Sequence, residues 1–213
     1  MTFASRTEAG VKLGQFLAKR GSDAELVLGL PRGGVVVAAE VARILGLPLD
    51  IIVVRKIGHP WNREFAVGAI GEDGVIVLEE DSIGNDKAVR GELELIIAEE
   101  TNRLREYRRK FRRAHPIARK GKSVLVVDDG LATGATAEAA VKVLVAQQAK
   151  SVTVAAPVAS PNAVARLRAA GADVIALHVD PDFAAVGQYY LDFAQTTDEE
   201  VLTLLRQSAA EGR

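Results

Sequence analysis

Six short runs of valine, isoleucine and leucine constrain the fold of this chain more than any other feature. They lie at Glu25–Leu30, Leu49–Val54, Val75–Leu78, Ser123–Asp128, Ser151–Ala156 and Asp173–Val179. Most are continuously apolar rather than alternating, the pattern of strands covered on both faces. Helical patterns fill the intervals. Thr7–Arg20 carries Val11, Leu13, Phe16 and Leu17 mostly on one stripe, while Val35–Leu45, Ala135–Gln147 and Asn162–Ala170 are rich in alanine and valine. This alternation predicts an α/β fold with a doubly wound, mainly parallel sheet.

Asp86 to Ala114 breaks the rhythm with one long helical pattern, an insertion of about 86–114, in which Leu93, Ile96, Ile97, Leu104, Tyr107 and Phe111 fall near helical spacing. Its second half holds Arg103, Arg105, Arg108, Arg109, Arg112 and Arg113. These read as the solvated face of a helix that shields a sheet edge or a neighbouring subunit. A nucleic-acid contact is the sharper alternative, but no aromatic platform accompanies the charge. The apolar stripe argues for a homo-oligomer, a dimer, because a single sheet need not cover it. No repeat or linker divides the chain, so residues 1–213 are expected to form one domain.

Composition removes several classes. The absence of cysteine excludes a disulfide scaffold and a thiolate zinc site. A formal net charge of −1 gives no support to a polyanionic partner. No run approaches the roughly 18 apolar residues of a membrane span. Met1–Arg6 lacks the pattern of a signal peptide, so a cytoplasmic protein without a membrane partner is expected.

The chemistry concentrates at residues 124–136. An apolar strand, Val124–Val127, runs into the paired acids Asp128 and Asp129, then a small-residue turn, then a helix. Ligands of open α/β sheets sit beyond the carboxyl ends of strands. Ala132, Thr133, Gly134, Ala135 and Thr136 offer consecutive backbone N–H groups and two hydroxyls at a helix N-terminus, which suits a phosphate dianion. Carboxylates repel phosphate but accept hydrogen bonds from sugar hydroxyls. The joint reading is a sugar phosphate. A plain strand-to-helix turn with an aspartate cap is the bland alternative. Neither a Walker A loop nor a dinucleotide fingerprint is present.

This segment resembles the motif by which type I phosphoribosyltransferases bind 5-phosphoribosyl 1-diphosphate (PRPP). The resemblance implies that Asp128 and Asp129 hold the ribose hydroxyls and that residues 132–136 cradle the 5-phosphate. Two further segments follow the family's order. In Leu30-Pro31-Arg32-Gly33-Gly34 the glycines allow close backbone approach and Arg32 offers a planar fork to phosphate. This stretch is similar to the family's pyrophosphate loop, which implies a cis non-proline peptide near Arg32. Arg55 and Lys56 resemble its second pyrophosphate contact, and Gly58–Glu64 its mobile catalytic loop. Trp61 either clamps substrate or packs on a neighbouring subunit, and His59 is left without a role. His115 and His178 read as structural or solvated.

The implied fold is that of the family, with a C-terminal hood at about 180–213. The implied reaction breaks the bond between ribose C1 and pyrophosphate as a base nitrogen approaches, with Arg32, Arg55 and Lys56 as the catalytic cations on the leaving group. Mg²⁺ is the implied cofactor, with Asp128, Asp129 and Asp192 near it indirectly. The acceptor is harder to name. Ala132 stands where the purine 6-oxo enzymes place an aspartate. Yet His178–Phe193 looks like the base-binding end of the hypoxanthine–guanine enzymes, which implies a stacking role for Phe183 and base contacts from Val186 and Asp192. Phe183 and Asp192 are each one residue out of the family spacing, and an aromatic patch in core or interface is the alternative. Bacterial phosphoribosyltransferase-domain proteins of undetermined substrate share Val54–Gly58 and Asp192–Gln195. The expected function is therefore phosphoribosyl transfer from PRPP to a base, with a purine favoured. A PRPP-sensing regulator that binds RNA through the arginine-rich helix is the alternative from another class. A nucleotide-sugar hydrolase lacks an evident site for activated water.

Overall fold

The computed structural model describes residues 1–84, 87–111 and 117–211, with the backbone alone for Glu64, Arg108 and Glu211. Arg112, Arg113 and His115 therefore lie outside the described residues.

Five strands form a parallel sheet: β1 (Leu26–Gly29), β2 (Leu49–Ile51), β6 (Ser123–Val127), β7 (Ser151–Ala159) and β8 (Asp173–Val179), in the order β2-β1-β6-β7-β8. Its strands bury side chains alternately on both faces, as continuous apolar runs require. Val27, Leu125 and Val127 enter a core with α1 (Arg6–Arg20) and α2 (Gly33–Leu45). Leu26, Leu28, Val124 and Val126 enter the opposite core with α5 (Ala135–Ala146) and α6 (Pro161–Ala169). Helix starts follow local chemistry: the side chains of Ser5 and Ser160 accept from the backbones of Glu8 and Ala163, and Pro161 opens α6.

Between β2 and β6 the chain leaves this sheet. β3 (Val54–His59), β4 (Asn62–Gly71) and β5 (Ile76–Leu78) form a separate antiparallel sheet, packed through Ala69 on Ala139 and Val143 of α5. Gly58–Glu64, the stretch that resembles the family's mobile loop, is the bulged end of a β-hairpin, in which Gly58 pairs with Ala66 and His59 with Asn62. One expectation is corrected here. Val75–Leu78 belongs to this second sheet, not the parallel one.

After a short α3 (Glu80–Ile83), the long insertion forms α4 (Lys87–Lys110). Leu93, Ile96, Leu104 and Phe111 are each less than 5% exposed within the chain's own core. The apolar stripe is covered, and the argument for a dimer built on it falls away. Gly91 lies in α4 with nothing near the position of an added Cβ. Gly91→Ala should therefore stabilise the protein by about 0.5–1 kcal/mol, measured by chemical denaturation, through helix propensity alone. The tail also departs from expectation. Residues Asp198–Glu211 form α7, whose Val201 and Leu205 are buried in the core shared with α2.

Candidate functional site

Strand order reverses between β1 and β6, so the loops leaving their carboxyl ends face each other across a topological switch point. Parallel register sets Gly29 beside Val127, and Leu30 N–H donates to the Val127 carbonyl at 2.9 Å. Leu30–Gly34 thereby meets Asp128 and Asp129. The peptide between Pro31 and Arg32 is cis, as the resemblance implied.

Beyond the acids, Leu131 N–H donates to the Val158 carbonyl at 2.9 Å and the Ser160 hydroxyl donates to the Ala132 carbonyl at 2.6 Å. These bonds pin the turn to β7. Gly134 adopts φ +70°, a left-handed conformation that a side chain would resist, and caps α5. Asp128, Gly130, Leu131 and residues 132–137 line a cavity of ≈ 150 Å³. A larger cavity of ≈ 600 Å³ lies between α2 and α7, but its charged lining residues Glu40 and Arg43 pair with each other. The smaller cavity has the convergent donors.

Asp128 accepts from its neighbour's backbone N–H at 2.9 Å. Burial first, and the Asp129 carboxylate second, push its carboxyl well above the usual aspartate range. Asp129 is balanced by a residue 123 positions away: Arg6 Nε donates to Asp129 Oδ2 at 2.7 Å. The same guanidinium donates to the Ala194 carbonyl at 2.8 Å and lies 3.9 Å from the centre of the Phe193 ring. Tyr190, stacked on Phe193, donates its hydroxyl to the Asp129 carbonyl at 2.6 Å. Burial, then the Asp129 charge, keep that phenol protonated. No spacing rule pointed to Arg6, Tyr190 or Phe193 as partners of the acids.

The cations expected on pyrophosphate are less fully assembled. Arg32 reaches Asp198 at 3.7 Å, and Asp198 also takes Lys110 at 3.1 Å. Arg55 Nε donates to Glu100 of α4 at 2.5 Å, while Lys56 is exposed on the hairpin. Trp61 is 71% exposed near the hairpin end, with His59 beside it.

Of the residues expected at a base, Val186 packs directly on Gly130, where an added Cβ would lie 2.6 Å from its Cγ1. Phe183 packs on Tyr189, ring centres 5.1 Å apart, in the apolar cluster of Phe3 and Val158. Asp192 is exposed and its carboxylate accepts from the Ala194 backbone at 3.1 Å. Among the described residues no group of three acids or histidines gathers as a metal cage, so Asp128, Asp129 and Asp192 do not form one. His178 pairs with Asp180 at 3.4 Å.

Comparison with known proteins decides the family. The family description "Phosphoribosyl transferase domain" matches residues 8–194. This chain belongs to the phosphoribosyl transferase domain family. It is also 43% identical, over 95% of its length, to a Mycobacterium tuberculosis H37Rv protein named "Putative phosphoribosyl transferase Rv0571c". It spans 46% of that relative, less than half its length. The crystal structure of TT1426 from Thermus thermophilus is similar throughout, with 50% identity, a TM-score of 0.90, and coverage of 97% of this chain and 99% of that one. A Neisseria gonorrhoeae hypothetical protein with bound ppGpp shares the fold at 16% identity and a TM-score of 0.50, covering 97% of this chain and 94% of that one. Among the described residues no helix is long and apolar enough to cross a membrane.

Proposed function

We propose that this phosphoribosyl transferase family member moves the 5-phosphoribosyl group of PRPP to a nitrogenous base and releases pyrophosphate. The observation that carries the reading is the switch-point juxtaposition: the paired acids after β6 stand between the Thr133–Thr136 turn and the Arg32–Gly34 loop after β1. A sugar held by Asp128 and Asp129 presents its 5-phosphate to one side and its pyrophosphate to the other.

In the reaction the base nitrogen forms a bond to ribose C1 as the C1–oxygen bond to pyrophosphate breaks, and the base gives up its N–H proton to solvent. Positive charge develops on the ribose and negative charge on the leaving group. Asp128 and Asp129 orient the sugar and face the positive ring. Arg32 lies on the leaving-group side, and Arg55 joins it on leaving Glu100. Mg²⁺, when bound with pyrophosphate, would supply further charge neutralisation beside Asp128 and Asp129, a need consistent with the reluctance of Asp128 to ionise. Val186, resting on Gly130, and Phe193 bound the space for the base. Ala132 offers no acid to a 6-oxo purine, so the acceptor panel should include adenine and pyrimidines as well as hypoxanthine and guanine.

Pyrophosphate release on incubation with PRPP, Mg²⁺ and that panel tests the proposal. Turnover with at least one base is expected, and Thr136→Val should raise the KM for PRPP about tenfold by removing a hydroxyl from the phosphate. One observation favours a second reading, a PRPP-binding regulator: the Arg55 guanidinium is engaged by Glu100. PRPP binding without pyrophosphate release from any base would support it.

A further inference from the structure

Arg6 occupies the first position of α1, where a cation opposes the positive end of the helix dipole. Its side chain is nonetheless 12% exposed and turned away from water onto Asp129. A buried arginine placed against its helix dipole needs a compensating role. The backbone already fastens the chain locally: Phe3 N–H donates to the Tyr189 carbonyl at 2.8 Å, Leu191 N–H to the Phe3 carbonyl at 2.9 Å, and Asp192 N–H to the Ala4 carbonyl at 3.0 Å. Residues 189–192 are therefore held without Arg6. A structural staple is not what the guanidinium adds.

Asp129 shows what it adds. Its Oδ2 is confined between Arg6 Nε at 2.7 Å and Gly33, where an added Cβ would stand only 2.1 Å from that oxygen. With Oδ2 so held, a ligand must use Oδ1, on a carboxylate that the Asp128 carboxyl also neighbours. Beside Asp128, an unpaired Asp129 carboxylate would be repelled and free to rotate. The Phe193 ring at 3.9 Å and the Ala194 carbonyl at 2.8 Å hold the guanidinium in one plane, so its direction is fixed independently of the acid.

We propose that Arg6 is a positioning residue for sugar recognition: it holds Asp129 Oδ2 so that Oδ1 meets a ribose hydroxyl. The inference rests on the phosphoribosyl reading above. It joins the first turn of the chain to a site built 123 residues later.

The test compares binding of ribose 5-phosphate and of inorganic phosphate by the full chain, followed by amide NMR titration. Wild type should prefer ribose 5-phosphate. Arg6→Gln should weaken ribose 5-phosphate about tenfold while leaving phosphate within about twofold, because only the sugar contact depends on Asp129. Arg6→Lys, which keeps a cation and guards against a folding defect, should lie between, about threefold weaker than wild type. Adding Asp129→Asn to Arg6→Gln should produce little further loss, since the two act through one contact. Equal losses for both ligands, or no loss for either, overturn the positioning role and leave the phosphoribosyl reading standing. A wild type that binds phosphate but gains nothing from the sugar overturns both.

Discussion

Asp128→Asn should raise the melting temperature of the ligand-free protein while lowering kcat/KM for PRPP by about a hundredfold, the loss of one or two charge-assisted bonds to ribose. Opposite effects on stability and activity follow from one environment. The carboxyl sits above its ordinary value of 3.8, through burial and then the Asp129 charge. A raised folded value means that the folded protein holds this proton more tightly than the unfolded chain. The group's contribution is then favourable below the ordinary value and is lost as pH rises through the folded one. Above the ordinary value the raised carboxyl therefore destabilises the free protein, and the isosteric amide removes that penalty. About 1 kcal/mol recovered would move the melting point about 2–4 °C at this size. Calorimetry across pH 4–8 should show the wild type losing stability with rising pH more steeply than the variant. Parallel profiles would refute the electrostatic account. Saturating PRPP with Mg²⁺ should narrow the gap, because the ligand contributes the partners that the acid lacks.

Much of this site was legible because its determinants are local. Val124–Val127, the acids and Thr133–Thr136 are contiguous, and each residue type restricts its own backbone, so one segment specifies strand, turn and helix together. The β3–β4 hairpin was not legible. Ala66, Gly68 and Ala69 have low strand propensity, and Gly58-His59-Pro60-Trp61 reads as a loop. Packing of Ala69 on α5 overrides that propensity. α7 did carry a signal: Thr197 and Glu200 exchange hydrogen bonds as a capping box, Glu200 N–H to Thr197 Oγ1 at 3.1 Å and Thr197 N–H to Glu200 Oε2 at 2.6 Å. Arg6 could not be found that way. Its contact with Asp129 depends on where α1 packs, which no short-range pattern encodes. The argument for a dimer from α4 fails for a related reason, since periodicity shows that a face is apolar and not what covers it.

The other large effect is expected at Gly34, where the two loops of the switch point touch. An added Cβ there would lie 2.8 Å from Asp128 Cα, from Asp128 Oδ1 and from the Val127 carbonyl oxygen. Two of these are backbone atoms of the strand end that carries the acids, so no rotamer change can relieve the clash. Gly34→Ala must push the Leu30–Gly34 loop away from β6, at about 1–3 kcal/mol of stability for overpacking. A displacement approaching 1 Å between the acids and Arg32 would reduce kcat/KM for PRPP about a hundredfold. Gly33→Ala makes the informative comparison. Its closest approach, 2.1 Å, is to Asp129 Oδ2, the far end of a side chain. Asp129 can rotate away and abandon Arg6, so stability should suffer less while sugar binding suffers as much. Denaturant midpoints and PRPP affinities for the two variants separate the cases. Equal destabilisation would show that the loop yields as a whole, and that the acids are not held by the close approach of Gly34.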